Sequence, residues 1–292
     1  MRRGGGAVAC YREFAPSEEL REHVRAFFAF TPAGEISSTR RPITREVLFD
    51  SDDSFTAPTF ASANSSFVVN FSKRCEAGGV WVSGDAPSAQ VLGAMTAVGA
   101  HTPAEGGFFE TVGVYFQPAR GSAFTGLPLC ELTDQIVSLD TVWGATASSL
   151  PAELAEMDQL TRIDRLESEL ARRFRRTRQP RTAVDVSALA RWTLRLGGRV
   201  SVARLADAAG VSRQQLTRVF RESVGVSPKL YCRLARFQAA LGQTGAGVAA
   251  ALGYADQSHM IAEFREFSSL TPQQIASARL FHPFIENAKT PG

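Results

Sequence analysis

Cysteine is scarce in this chain of 292 residues. Its four copies, Cys10, Cys75, Cys130 and Cys232, stand far apart with no C-x-x-C spacing. A disulfide framework and a cysteine-built zinc site are therefore not expected. Long apolar runs are lacking too. Two uncharged stretches of 19 residues, Ser54–Ser72 and Phe237–Ala255, are broken by serines, asparagines and Pro58 in the first and by four glycines and two glutamines in the second. Neither resembles the roughly 20 predominantly apolar residues of a membrane span. The opening Met1-Arg-Arg-Gly-Gly-Gly leads only to Ala7–Cys10 before Arg12 and Glu13, too little for the apolar core of a signal peptide. These lacks point to a reduced, cytoplasmic protein that does not meet a membrane.

Chemistry-bearing motifs are missing as well. Neither G-x-x-x-x-G-K nor G-x-G-x-x-G occurs, so no phosphate-cradling loop is expected. Asp50, Asp52 and Asp53 begin like a calcium loop, but Phe55 stands where the sharp turn needs glycine and Ala61 where the closing Glu belongs. His23 and His101 stand alone, with no H-x-H or H-E-x-x-H to supply a second imidazole. Gly210-Val-Ser212 and Gly225-Val-Ser227 lack the second glycine of a nucleophile elbow. No catalytic residue, metal ligand or cofactor is expected, and the chain does not read as an enzyme.

The composition is that of a globular protein, 44% hydrophobic and 21% charged, and the length suits about two domains. The net charge of +3 hides an asymmetry. Residues 1–150 hold 11 basic and 16 acidic residues, a net of −5, whereas residues 151–292 hold 21 basic and 13 acidic, a net of +8. All but two of the latter cations are arginines, whose planar guanidinium makes bidentate bonds to phosphate and base edges. Such a split suggests that the second half meets a polyanion, although a coding bias toward arginine would give the same composition.

Along the first half, Leu20, Val24, Phe27 and Phe28 recur at helical spacing, which predicts a helix over Pro16–Phe30. From Thr31 to Phe116 short β-branched and aromatic runs (Phe67–Phe71, Val80–Val82, Gln90–Leu92, Thr111–Phe116) predict strands of a barrel or sandwich. Phe116–Gly121 reads as a strand end and turn. Leu154, Met157, Leu160, Ile163, Leu166, Leu170 and Phe174 predict one long helix from Pro151 to about Arg176, packing onto its own domain or forming a dimer seam. Its back half is Arg-rich, and Gln179-Pro180 ends it, placing a domain boundary near 177–184.

The second half repeats itself at an offset of 44 residues. Ser212 pairs with Asp256, Leu216 with Met260, Phe220 with Phe264, Arg221 with Arg265, Val226 with Leu270, and Ser227-Pro228 with Thr271-Pro272. Ser and Asp cap helix N-termini, the pairs four apart share a helix face, and Pro suits a first helical position. Each copy reads helix, turn, helix and then the start of a new helix. Gly210 supplies the first turn's positive φ and small Ala206 lets the helices cross closely. In copy two, Val248, Ala249 and Leu252 precede Gly253, and the later anchors sit one residue further out, implying a longer turn. Two such motifs within a segment of 12 basic and 5 acidic residues (187–280) predict DNA binding.

On these residues Val202–Ala276 resembles the tandem helix-turn-helix domain of AraC/XylS-type transcriptional regulators. The stretch Gly253-Tyr-Ala-Asp-Gln-Ser-His-Met-Ile-Ala-Glu-Phe-Arg-Glu-Phe followed by Leu270-Thr-Pro carries most of the likeness. Phe14–Phe30 and Val112–Gly144 resemble an uncharacterised domain found fused to such modules. The segment between Arg236-Phe237 and Gly253 is shorter than is usual there and holds Gly242, Gly245 and Gly247, which predicts a truncated first helix in motif two or a loosened connecting helix. Ala262 stands where a basic residue is common, and Ser269 where glycine is.

The expectation is thus an α+β chain of two domains. A β-rich, barrel-like N-terminal domain with flanking helices (1–178) precedes an all-α DNA-binding domain (184–280) and a tail (281–292). Recognition helices of about 212–222 and 257–267 enter the major groove of double-stranded DNA. Arg218 suits a guanine edge and Gln214 an adenine edge, with Thr217 beside them and Arg213 and Arg221 on phosphates. In the second motif Gln257, Ser258, His259 and Arg265 are the candidates. The resemblance implies that the N-terminal domain senses a small-molecule effector or mediates dimerisation, and it adds RNA polymerase as a partner. The rival expectation is a β-barrel small-molecule-binding protein or enzyme whose tandem motif serves packing or docking.

Overall fold

In a computed structural model of the chain, residues 9–32, 47–49, 57–59, 61–62, 65–71, 75–77, 80–83, 87–96, 99–103, 110–176, 183–243 and 247–277 are described. The calcium-like aspartates, most of the expected domain boundary, Gly245 and the C-terminal tail lie outside them.

The chain begins with β1 (Ala9–Phe14), β2 (Val24–Pro32), β3 (Val47–Phe49), β4 (Ala57–Thr59), β5 (Ser66–Asn70), β6 (Cys75–Ala77), β7 (Val80–Ser83), β8 (Ser88–Leu92), β9 (Gly99–Pro103), β10 (Thr111–Phe116) and β11 (Ile136–Ser138). Among the described residues these form a seven-stranded sheet, in the order β11-β8-β5-β10-β2-β1-β3, and a four-stranded sheet, β4-β9-β6-β7. Both sheets are open. This corrects the barrel expectation: β11 and β3 stay at the two edges of the large sheet and do not pair, and barrel closure needs that last hydrogen-bonded seam.

The helix expected over Pro16–Phe30 is a turn followed by β2. His23 and Val24 donate to the Leu20 carbonyl, and β2 then runs between β1 and β10. Residues 26–31 are all buried, because this central strand is covered on both faces. With no polar alternation, its phenylalanines mimic helical spacing.

Short helices stand between and after the last strands, α1 (Ser122–Thr125) before β11 and α2 (Leu139–Trp143) and α3 (Leu150–Ala155) after it, ahead of the long α4 (Gln159–Arg176). The expected single helix from Pro151 to Arg176 is therefore broken at residues 156–158. Asp158 starts the second piece, its carboxylate accepting from the Thr161 hydroxyl and from the backbone N–H groups of Thr161 and Leu160, which together hold that carboxyl below its ordinary pKa. Arg162, ion-paired with Glu110, donates to the Leu154 and Ala155 carbonyls and so closes the break. Ile163, Leu166 and Leu170 share an apolar cluster with Phe27, Val112 and Val114 of the sheet, so the apolar stripe of α4 packs onto its own domain. His23 lies in the same region with its ring 4.0 Å from that of Phe174, and burial pushes its pKa down.

The remaining chain is helical: α5 (Val186–Arg195), α6 (Val202–Ala209), α7 (Arg213–Val224), α8 (Pro228–Ala240), α9 (Val248–Ala251), α10 (Gln257–Ser268) and α11 (Pro272–Ser277). A second apolar cluster holds them together, with Leu205, Leu216, Phe220, Leu234, Phe237, Met260, Phe264 and Phe267 at its centre. Ala61 and Ala94 of the N-terminal half belong to this cluster.

Candidate nucleic-acid interface

Local chemistry sets both recognition helices. Ser201, Ser212 and Ser227 start α6, α7 and α8, each hydroxyl accepting from the backbone N–H three residues on, and the Asp256 carboxylate does the same for α10. Gly210 ends α6 at φ 64°, the left-handed turn that lets α7 cross α6. From Gly210 to the cap at Ser212 is two residues, whereas Gly253 to Asp256 is three, the longer second turn that the repeat implied. The first helix of motif two, α9, is only four residues long, while α8 runs unbroken for 13. The shortened segment has truncated α9 and left the connecting helix intact.

On α7, Leu216 and Phe220 are buried, the latter against Tyr231 with ring centroids 5.3 Å apart. The opposite face carries Gln214, Arg218 and Arg221, with Arg213 before it, all exposed, and Thr217 half-buried at its edge. The Thr217 hydroxyl donates to the Arg213 carbonyl. On α10, Met260 and Phe264 are buried, Phe264 against Phe237 at 5.0 Å, and Gln257, Ser258, His259, Ala262 and Arg265 are exposed. His259 Nδ1 accepts from the Ala255 N–H at 3.4 Å, and its ring meets that of Tyr254 edge-on. Among the described residues no group of three or more His, Cys, Asp or Glu could hold a metal ion, and no helix is long and apolar enough to cross a membrane.

The arginines divide into two sets. Arg162 pairs with Glu110, Arg165 with Glu153, Arg172 and Arg173 share Glu169, and Arg175 pairs with Glu19, so much of the arginine set of α4 is engaged within its own domain. On α8, Arg233 donates to Glu263 at 2.7 Å and to Glu266 at 2.5 Å, both on α10. Glu266 first, and then Glu263, raise its pKa further. By contrast, Arg213, Arg218 and Arg221 make no ion pair among the described residues. A guanidinium left free on an exposed helix face is available to a phosphate or a base edge.

Sequence reasoning missed two features that position these helices. One is the Arg233 clamp. The 44-residue repeat carried its signal, because Leu189 and Val219 stand at the positions of Arg233 and Glu263. The other is a set of N-terminal loops that grip the far ends of both recognition helices. The Thr133 hydroxyl donates to the Gly225 carbonyl at 2.7 Å, where Gly225 ends α7 at φ 99°. A Cβ on Gly225 would lie 3.1 Å from the Leu129 carbonyl oxygen and 3.3 Å from the Ala94 Cβ, so only glycine suits both the turn and the approach. At the end of α10 the Ala61 N–H donates to the Phe267 carbonyl at 3.0 Å, and next to it Gln238 Nε2 donates to the Ser62 hydroxyl at 3.2 Å. The N-terminal starts of α7 and α10 lie at the other ends of these helices.

Two family models match parts of the chain. A family model described as a helix-turn-helix domain matches residues 205–278, and one described as a domain of unknown function (DUF6597) matches residues 12–138. No curated protein matches the chain. Among solved structures, ToxT from Vibrio cholerae O395 is 12% identical, with a TM-score of 0.42, over 77% of this chain and 95% of that one. Wild-type ToxT from Vibrio cholerae strain SCE256 with unsaturated fatty acid bound is 10% identical, with a TM-score of 0.43, over 97% of this chain and 100% of that one. With two capped copies of the motif, each presenting a helix over an apolar anchor, residues 205–278 form a helix-turn-helix domain.

Proposed function

We propose that the protein is a sequence-specific regulator of transcription that reads double-stranded DNA with α7 and α10 in the major groove. The observation that carries this reading is the uncommitted outer face of α7. Its three arginines and Gln214 point away from the core and make no ion pair among the described residues, whereas Arg165, Arg172 and Arg233 are tied to carboxylates. Arg218 takes a guanine edge and Gln214 an adenine edge, Arg213 and Arg221 hold phosphates, and Gln257, Ser258, His259 and Arg265 serve the second groove. Residues 1–178 form the regulatory unit and residues 184–280 the DNA-binding unit. The loops that touch Gly225 and Phe267 support an effector-responsive role for the former, because a change in the sheet domain reaches both recognition helices through them.

The test is fluorescence anisotropy of the full chain on the DNA upstream of its own gene and on scrambled DNA, across a salt series. The reading expects binding at about 150 mM salt that exceeds scrambled DNA by at least about 10³. Equal and steeply salt-dependent binding to both DNAs would reduce the site to a basic surface. Absence of binding would favour a small-molecule-binding protein whose tandem motif only packs.

A further inference from the structure

The internal repeat allows the two recognition helices to be compared position by position. Along the outward line of α7 stand Gln214, Arg218 and Arg221, with Thr217 at the edge; 44 residues on, α10 places Ser258, Ala262, Arg265 and Ile261. Ser258 and Ala262 are exposed and Ile261 is half-buried. The two central outward positions have thus changed from a long amide and a guanidinium to a hydroxyl and a methyl, and the hydroxyl at the edge has become a branched alkyl.

The electrostatics change in the same direction. Helix α7 carries three arginines against Glu222, and its N-terminus is capped by the neutral Ser212 beside Arg213. Helix α10 carries Arg265 against Glu263 and Glu266, both held by Arg233, and its N-terminus is capped by the Asp256 carboxylate, which accepts from the His259 N–H at 2.7 Å. A carboxylate at the cap already occupies the positive end of the helix dipole and repels a phosphate there. At the two outward positions that match Gln214 and Arg218 the second helix therefore lacks long donors for a purine edge, and its capped N-terminus lacks the positive end for a phosphate; Gln257 and Arg265 keep long donors only toward its two ends. Short side chains one turn apart do let its axis lie closer to the floor of a groove.

One apolar group is exposed on that floor, the C5-methyl of thymine. We propose that α10 reads its half-site through thymine methyl groups, with Ala262 and Ile261 making the apolar contact and Ser258 bonding an adjacent base edge. The site bound by the chain is then composite, purine edges under α7 and a thymine-rich stretch under α10. This inference rests on the DNA-binding reading above.

The test begins with selection of bound duplexes from random DNA by the full chain, followed by anisotropy on the selected site with each thymine replaced in turn by deoxyuridine. That change removes the methyl and keeps every hydrogen-bonding edge. Under α10 the expected loss is about fourfold for each contacted methyl, the value of burying one such group, and no loss is expected under α7. The Arg218→Ala variant relaxes selection in the α7 half and so identifies which half is which. In Ile261→Ala the deoxyuridine penalty should shrink, and Ala262→Arg should exchange the thymine preference for guanine and steepen the salt dependence. Thermal unfolding of both variants confirms that they are folded. If deoxyuridine is neutral throughout the α10 half while Arg218→Ala still relaxes the other, the methyl reading is wrong and the regulator stands. If no sequence is enriched at all, both fall.

Discussion

Forty-four residues apart, Leu216 and Met260 fill the same place in the apolar cluster, and so do Phe220 and Phe264, yet the faces that these four residues hold outward share only an Arg-Glu pair, Arg221-Glu222 in one and Arg265-Glu266 in the other. The inside of the helix-turn-helix has been copied; its outside and its supports have diverged. Copy one is supported by apolar residues, with Leu189 and Val219 at the positions where copy two has Arg233 and Glu263. A packed core tolerates little change of volume, whereas a solvent-facing position is free to change its chemistry. That difference in constraint explains why the scaffold marks both copies as the same device while the surface gives each its own reading.

The equivalence of the two cores is the claim with the largest consequence. Phe220 and Phe264 are both essentially inaccessible to solvent, and each packs edge-on against an aromatic ring of α8. Phe220→Ala and Phe264→Ala are each expected to lose about 4 kcal/mol in urea unfolding of the full chain. A loss at Phe264 of less than half that at Phe220 would break the comparison, showing that the short α9 leaves copy two loosely packed.

The supports come next. Glu263 is 3% exposed in its side chain, and Arg233 is its partner at 2.7 Å. Arg233→Ala strands a buried carboxylate and should cost about 3 kcal/mol. The double change Arg233→Leu with Glu263→Val imports the residues of copy one and should recover most of that loss, since a buried ion pair often exchanges evenly with well-packed apolar groups. Denaturant midpoints of the single and double variants decide it. A double variant no more stable than Arg233→Ala would mean that the two copies differ in backbone geometry as well as in side chains.

What the sequence revealed follows the same line between local and distant causes. The limits of α7 and α10 were legible because Ser212 and Asp256 bond within their own first turns, and Gly210 turns on itself. β2 was misread because its pairing is set by β1 and β10 and the cover of one face by α4, none of which its own spacing records. Asp158 was overlooked as a cap because the leucines on either side keep helical phase through the break. The Thr133–Gly225 bond joins residues 92 apart in sequence, and the Gln238–Ser62 bond joins residues 176 apart. No pattern within a window of helical length reports such a contact.

At the DNA surface the comparison can be sharpened with single changes. Arg218→Ala is expected to weaken binding by about 2 kcal/mol and to relax preference at one base pair. If Arg265 holds a phosphate, as proposed for Arg221, Arg265→Ala should weaken all sequences alike and lower the salt slope by about one. Competition binding against a set of single-base variants of the site separates the two. An Arg218→Ala variant that keeps the wild-type ranking of those sites would remove Arg218 from base readout.

The smallest effect lies where the repeat aligns Gly225 with Ser269. Both residues end a recognition helix in the left-handed region, at φ 99° and 58°, and each N–H donates to the carbonyl four residues back, Arg221 in one and Arg265 in the other. Glycine takes that conformation without penalty, whereas the Cβ of serine opposes it. Ser269→Gly should therefore stabilise the chain by about 1 kcal/mol, less whatever glycine adds to the entropy of the unfolded chain, so that a gain of about 0.5 kcal/mol is the figure to look for. Chemical denaturation with an unchanged m-value would record it. A net loss would show that Ser269 contributes something beyond its backbone. Its neighbour Ser268 does so, its buried hydroxyl bonding the Phe264 carbonyl and accepting from the Leu270 N–H. A gain would show that the second copy forgoes an available stabilisation at a position that touches neither the core nor the proposed DNA face.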